Sequence, residues 1–349
     1  MKKIKGPGVF LAQFLRDEPP YNNLENIGKW FADLGYKGVQ IPTWDSRVID
    51  LDKAVESKTY CDQFKGKLKE IGLEISELSA HLQGQVLAIH PAYEIAFQAF
   101  YPAGLKDKER AKWATEQLKK AVTASANLGL NSVPVLSGGF AWHMMYPWPQ
   151  RPKGIIEQAF EELYRRWKPV LDLAKDKGVS ISYELHPGSD LYDGATYEQF
   201  LDISNNHPAA CLLYDPSHFL LQQLDYLQFI ELYGQRIKAF HVKDAEFNAT
   251  GRVGVYGGYQ SWAGRAGRFR SLGDGQVNFK RVFTLLTEAG YDGWAVLEWE
   301  CCVKSPEQGA REGAPFINEH IIEATEVAFD DFAGGKADVE QNKKILGLS

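Results

Sequence analysis

The chain is poor in the features that mark several protein classes. Only four of its 349 residues are cysteine, and Cys61, Cys211, Cys301 and Cys302 lack the spacing of a zinc site or a disulfide scaffold. That scarcity fits a reducing compartment. No apolar run approaches the roughly 18 residues of a membrane span, so no membrane association is expected. Cationic excess is missing as well: 39 Lys plus Arg against 45 Asp plus Glu leave a net charge of −6. Nucleic acids and anionic lipid surfaces attract cationic faces, so neither is an expected partner. No Walker A loop, Gly-x-Ser-x-Gly elbow or Cys-x-x-Cys pair occurs, and Gly273-Asp274-Gly275 lacks the third glycine of a dinucleotide turn. The start, Met1-Lys2-Lys3-Ile4-Lys5, mimics the basic end of a secretion signal. The stretch that follows is short, holds Pro7 and Gln13, and meets Arg16-Asp17-Glu18 without a small-residue cleavage site. It reads as a first strand, and the protein as cytoplasmic.

What the chain has in quantity is alternation. Short apolar or β-branched runs fall at 8–14, 37–42, 74–80, 131–136, 179–185, 210–215, 237–242 and 294–299. Between them lie amphipathic stretches at 23–34, 58–71, 107–128, 157–177, 196–206, 222–234 and 278–290, with an eighth at 318–333. Several end on a glycine stop, as in Leu34-Gly35, Leu128-Gly129 and Ala289-Gly290. Eight strand–helix units predict an α/β fold: a single (β/α)8 TIM barrel over 1–349, with a C-terminal helix and tail from about 318. Three connections are longer than linkage requires: 81–106 after strand 3, 137–156 after strand 4 and 243–277 after strand 7. The second carries Trp142, His143, Tyr146 and Trp148, the aromatic content of a pocket wall.

In such a barrel, chemistry sits at the C-terminal ends of the strands. Strand 5 ends in Glu184, strand 6 in Asp215, strand 7 in His241 and strand 8 in Glu298. Three carboxylates brought to one rim repel and need a cation. An oxygen-rich set with one imidazole suits Mn²⁺ first, with Mg²⁺ or Co²⁺ as alternatives. His186 and His218, just beyond two of these residues, are placed to orient a carboxylate or touch substrate. Lys243 follows His241, and His81 follows strand 3, so both are pocket candidates by position. Trp142 is a candidate for stacking on a sugar ring. Glu300 shares a strand face with Glu298 and is expected either beside the site or paired with a lysine such as Lys304.

At these residues the chain resembles the xylose-isomerase-like barrels, a group that includes ketose 3-epimerases and inosose dehydratases. The resemblance rests on Glu184, Asp215, His241 and Glu298. It also rests on Tyr-Asp-Pro-Ser-His at 214–218, His-Val-Lys-Asp at 241–244 and Leu-Gly-Asp-Gly-Gln-Val-Asn-Phe at 272–279. It implies a metal-dependent sugar isomerase or epimerase. In that chemistry a carboxylate removes the proton beside a carbonyl and an enediolate forms. It further implies that Glu184 and Glu298 serve as acid and base as well as ligands. The long loops exceed what a minimal ketose epimerase needs. They are similar to those of relatives acting on 3-keto-glycosides, including C-glycoside-cleaving enzymes. That likeness implies the alternative, a lyase expelling water or an aglycone by β-elimination, with His143 as base. It also implies a small second subunit over the aromatic loops, besides the expectation of a homo-oligomer. The expected substrate is a sugar or keto-glycoside. An apurinic-site endonuclease would need more histidines and a cationic face, although Arg252, Arg265, Arg268 and Arg270 could meet a phosphate. A non-catalytic sugar-binding barrel would show no proton exchange.

Overall fold

A computed structural model describes residues 3–323 and 338–348. Ten strands and twelve α-helices alternate along them. The order is β1 (Lys5–Phe10), α1 (Leu24–Asp33), β2 (Gly38–Pro42), α2 (Leu51–Glu56), α3 (Lys58–Glu70), β3 (Glu74–Ser79), α4 (His81–Leu87) and α5 (Asp107–Leu128). Then come β4 (Ser132–Val135), α6 (Ile155–Asp176), β5 (Ser180–Glu184), α7 (Gly194–Ile203), β6 (Ala210–Tyr214), α8 (Pro216–Leu221), α9 (Tyr226–Tyr233) and β7 (Ile237–Val242). The chain continues through β8 (Asp244–Phe247), β9 (Gly267–Arg270), α10 (Phe279–Glu288), β10 (Trp294–Leu297), α11 (Pro306–His320) and α12 (Val339–Ile345).

Eight strands form one parallel sheet in the order β3-β2-β1-β10-β7-β6-β5-β4. The first and last strands of that order meet where the Ala80 amide donates to the Pro134 carbonyl at 2.9 Å. The sheet thereby rolls into a (β/α)8 barrel. Every residue of β2, β4 and β6 is buried, as expected of a parallel sheet with side chains inside and helices outside. The helices earn their places by amphipathic spacing and capping. Helix α1 buries Ile27 and Phe31, and its first turn is closed by the Asn23 side chain accepting from the Asn26 amide. Helix α5 stops at Gly129, whose φ of 79° a side chain with a Cβ rarely adopts.

The first strand runs over Lys5–Phe10 rather than 8–14, because the backbone turns at Leu11, where the Phe14 amide bonds the Leu11 carbonyl. The helix that follows β10 is α11, begun by the Ser305 cap and Pro306, and it meets the expected 318–333 stretch only at its end. Of that range, 318–320 close α11, 321–323 have left it, and 324–333 lie outside the described residues. The long connections have internal structure. The one after β3 contains α4, and the one after β4 a 3₁₀ turn at Trp142–Met144. The one after β7 folds into the antiparallel hairpin β8–β9. The base of that hairpin is tied to the barrel by Asp244. Its carboxylate accepts from the amides of Gly273 and Gly275 at 3.0 Å and of Val277 at 3.2 Å. No helix among the described residues is long and apolar enough to cross a membrane.

Candidate active site

Four strand ends deliver the polar residues. Glu184 is the last residue of β5, and Glu298 follows β10. Asp215 follows β6 and caps α8. One of its oxygens, Oδ1, accepts from the Ser217 amide at 2.8 Å, which leaves Oδ2 for the barrel mouth. His218 lies three residues on, in the first turn of α8, so its ring folds back over the same place. One ligand atom from each of Glu184, Asp215, His218 and Glu298 lies within 4.8 Å of the others, and all four residues are buried.

His241 stands against two of those carboxylates. Its Nδ1 is 3.0 Å from Glu298 Oε2 and 3.9 Å from Glu184 Oε1. The tight four-residue set therefore contains His218, with His241 beside it. His218 Nε2 is 3.2 Å from Glu184 Oε1. His81 reaches the other oxygen, with Nε2 3.0 Å from Glu184 Oε2 and Nδ1 2.5 Å from Ser79 Oγ. Lys243 is buried at the far side. Its Nζ is 3.1 Å from Glu298 Oε2, 2.7 Å from Glu300 Oε2 and 3.8 Å from Asp215 Oδ2. Glu300 thus pairs with Lys243, while Lys304 bridges Asp274 and Glu312 at 2.7 and 2.6 Å.

The remaining sequence candidates sit further out. His186 lies beside His218, with ring centroids 4.1 Å apart. Trp142 packs edge-on against Tyr192 at 5.1 Å. His143 is exposed and lies against His90, ring to ring at 3.8 Å, so its recorded contact is with the loop after β3. Of the arginines considered for a phosphate, Arg268 and Arg270 both pair with Glu246, at 2.5 and 2.9 Å.

Burial and mutual repulsion set the charge states. Burial, aided by the charges of Glu184 and Glu298, pushes the Asp215 carboxyl well above the usual range even though Lys243 opposes it. Burial also pulls His218 down to about 3, helped by His186 and Lys243. Burial would lower His241 too, but the Glu298 carboxylate and its hydrogen bond outweigh it and hold the ring up at about 9. The arrangement fits a cation. Asp215 Oδ2 is buried and finds no hydrogen-bond partner, with His218 Nε2 3.4 Å away. Three carboxylates this close, one of them orphaned, form a donor set that a divalent ion satisfies.

Other residues of the site carried little signal in the sequence. Gln13 donates from Nε2 to Glu298 Oε1 at 2.9 Å. Gln40 meets His241 Nε2 at 3.0 Å. Asp190 holds the loop after β4 by accepting from the Phe140 and Ala141 amides at 2.7 and 2.9 Å. Phe269 of β9 covers the Lys243 ammonium at 4.2 Å and meets the His218 ring edge-on at 5.3 Å. A polar side chain between Val39 and Ile41 of a wholly buried strand was the one available clue, and it pointed to Gln40. Two cavities, of 800 and 660 Å³, open elsewhere, at the opposite barrel mouth and between α1 and α3. Neither is lined by a residue of the cluster, so chemistry and not concavity places the site.

Fold and site define the class: a parallel (β/α)8 barrel with a buried carboxylate–imidazole cluster at the C-terminal rim of its strands. The chain belongs to the xylose isomerase-like TIM barrel family, whose sequence model matches residues 29–320. Inosose dehydratase of Geobacillus thermodenitrificans (strain NG80-2) is 31% identical over 150 residues, 42% of this chain and 50% of that protein. The chain spans about half the length of the curated relatives it matches. The apo structure of 3-keto-D-glucoside 4-epimerase from E. coli superposes with a TM-score of 0.61 at 14% identity, over 91% of this chain and 100% of that one. A xylose isomerase-like barrel from Mycobacterium smegmatis in complex with magnesium gives 0.59 at 15% identity, covering 92% and 96%. A zinc-bound IOLI protein gives 0.56 at 16% identity, covering 91% and 96%. At these identities the structural likeness establishes the fold alone.

Proposed function

We propose that this protein is a divalent-cation-dependent sugar isomerase or epimerase that removes the proton beside a carbonyl. The observation that carries the reading is the convergence of Glu184, Asp215, His218 and Glu298 within 4.8 Å, with an orphaned carboxylate oxygen among them. Glu184, Asp215, His241 and Glu298 would hold the ion; Mn²⁺ suits this oxygen-rich set, with Mg²⁺ and Co²⁺ close to it. The magnesium and zinc of the two structural neighbours support a divalent ion without choosing one. When bound, the ion supplies positive charge that polarises the carbonyl and stabilises the negative charge left as the proton departs.

The chain's own residues do the rest. Glu184 and Glu298 come from strands separated by β6 and β7, so they address a sugar from two sides. One carboxylate takes the proton beside the carbonyl, and the electron pair of the broken C–H bond passes into an enediolate. The other returns a proton to the opposite face, which inverts that carbon. His81, His186, His218 and Lys243 bind substrate hydroxyls and hold the two carboxylates in place. Trp142 supplies an apolar face at the entrance.

A second outcome is favoured by one observation, the 31% identity to an inosose dehydratase. Proton removal from the same carbon can expel a β-oxygen. The C–H pair becomes a C=C bond, the C–O bond breaks, and the leaving oxygen takes a proton. The products are an unsaturated ketone and water, or an aglycone from a 3-keto-glycoside. His143, in contact with His90 on the entrance loops, is the base proposed for that branch.

The test is metal analysis of the purified protein, then incubation in D₂O with a ketose and a 3-keto-glucoside, wild type beside Glu298→Gln. Metal-dependent deuterium uptake beside the carbonyl, lost in the variant, is expected. Conserved product mass identifies the epimerase, and an unsaturated ketone the lyase. No bound metal and no exchange would refute the reading. Tyr146, Trp148 and Tyr256 are 54%, 72% and 67% exposed at the mouth. We propose that a second copy of the chain or a small second subunit covers them, and light scattering that returns only the mass of a bare monomer would refute this.

A further inference from the structure

A line of three buried side chains crosses the barrel interior beneath the cluster. Glu77 of β3 and Gln40 of β2 are 2% and 0% exposed. Gln40 Nε2 donates to Glu77 Oε2 at 3.2 Å. Its other atom, Oε1, lies 3.0 Å from His241 Nε2. His241 is on β7, and β1 and β10 stand between it and β2 in the sheet, so the contact spans the barrel lumen. The ring plane is held as well. Phe10 and His81 pack beside it with their rings nearly parallel to it, at 5.7 and 5.9 Å.

The polarity of this line has one consequence. An amide presents a donor at one end and an acceptor at the other. With its nitrogen engaged by Glu77, Gln40 offers His241 only an oxygen. An oxygen accepts, so Nε2 must carry the proton. Without a metal Nδ1, the atom that faces Glu298 and Glu184, is protonated too and donates to Glu298, so it is the nitrogen left to exchange its proton for a ligand. The reversed amide would give His241 a donor at Nε2 and leave the proton that Nδ1 shares with Glu298 as the ring's only one. It would also require Glu77 to donate.

We propose that Gln40, oriented by Glu77, is a positioning residue that fixes the His241 proton on Nε2 and reserves Nδ1 for a divalent cation. The role of Nδ1 rests on the cation reading above; the Gln40–His241 bond itself does not. A polar partner behind a ligating imidazole sets its tautomer and its basicity, and its loss typically weakens metal binding 10- to 100-fold.

The experiment uses full-length protein labelled with ¹⁵N-histidine, metal-free and loaded with Zn²⁺, and titration calorimetry with Zn²⁺ and Mg²⁺. In metal-free wild type, His241 should show an exchange-protected Nε2–H with a nuclear Overhauser contact to the Gln40 side chain. On Zn²⁺ loading that proton should persist while Nδ1 carries none. Gln40→Met keeps the volume and removes the acceptor. It should lose the protected proton and bind Zn²⁺ about 10- to 100-fold more weakly. Glu77→Gln preserves an acceptor for the amide and should stay near wild type, which separates the bond from a folding defect. An unprotonated Nε2 in the loaded protein would overturn the proposal. So would Gln40→Met binding Zn²⁺ as tightly as wild type. If wild type binds neither ion, the cation reading fails and with it the role of Nδ1, whereas a protected Nε2–H would still uphold the bond to Gln40.

Discussion

Replacing Lys243 by methionine removes one positive charge and almost no volume from the floor of the site. The ammonium is 2% exposed and stands 3.1 Å from Glu298 Oε2 and 3.8 Å from Asp215 Oδ2. Its third partner, Glu300, is 43% exposed and is left to solvent at little cost. The loss falls on the two buried carboxylates. Removing one partner of a buried pair typically costs about 3–5 kcal/mol. Unfolding entropy of about 2.1 cal/mol/K per residue gives about 0.7 kcal/mol/K for a chain of this length, so Tm should fall by about 4–7 °C. That holds only without metal. A divalent ion held by the same carboxylates replaces the missing charge and stabilises the folded state by mass action. The assay is calorimetric melting of wild type and Lys243→Met, in EDTA and in excess Mn²⁺, at one pH. The variant should melt lower in EDTA and gain more from Mn²⁺ than wild type does. Equal melting in EDTA, or an equal gain from the ion, would refute the idea that lysine and cation share these carboxylates.

Three further outcomes follow from the same geometry. Asp190→Asn replaces a charged acceptor of the Phe140 and Ala141 amides with a group that offers one oxygen, so a loss of about 2 kcal/mol is expected, with faster hydrogen exchange at those amides. Unchanged protection would contradict it. Gly84→Ala would drive a Cβ into the Leu136 carbonyl oxygen just past β4, forcing α4 away from that strand end. Overpacking of this kind costs about 1–3 kcal/mol, and limited proteolysis should open the connections after β3 and β4 first. In metal-free protein, His218 holds a pKa of about 3, whereas the unfolded chain binds that proton below about 6.5. Its contribution to stability is therefore complete above pH 6.5 and is lost as pH falls toward 3. His218→Gln should flatten the decline of Tm between pH 6.5 and 5, and parallel declines would count against the assignment.

The barrel was readable because its signals are local. Runs such as Val179–Leu185 carry near their end an acid that a strand interior would not hold, and Gly129 and Gly290 stop helices where the backbone turns left-handed. The same logic exposed Glu184, Asp215, His241 and Glu298. It could not see Gln40 meeting His241 across 201 residues of sequence, because neither residue alone reports the other. It gave no account of His218 entering the tight cluster ahead of His241. That depends on Asp215 spending one oxygen on the α8 cap, which turns the helix back over the site. Nor did the composition of 243–277 reveal a hairpin, since Gly, Arg and aromatic residues there satisfy one another only after β8 and β9 pair. Nor does the sequence show that His143 lies against His90, which comes from a loop whose path no periodicity foretells.

The hairpin is fastened in two ways that matter to the cluster: Asp244 gathers the amides of Gly273, Gly275 and Val277, and Phe269 rests on Lys243 and His218. Its tip, between 248 and 266, reaches these anchors through Trp262, whose ring lies 4.7 Å from that of Phe269. Substitutions at the exposed Tyr256 or Tyr259 would leave both anchors in place while they reshape the entrance. An exchange at 269 would bare the Lys243 ammonium to water and remove the ring that packs on His218. The outline of the entrance and the integrity of the buried cluster are thus physically separable here, with a single phenyl ring as the hinge between them.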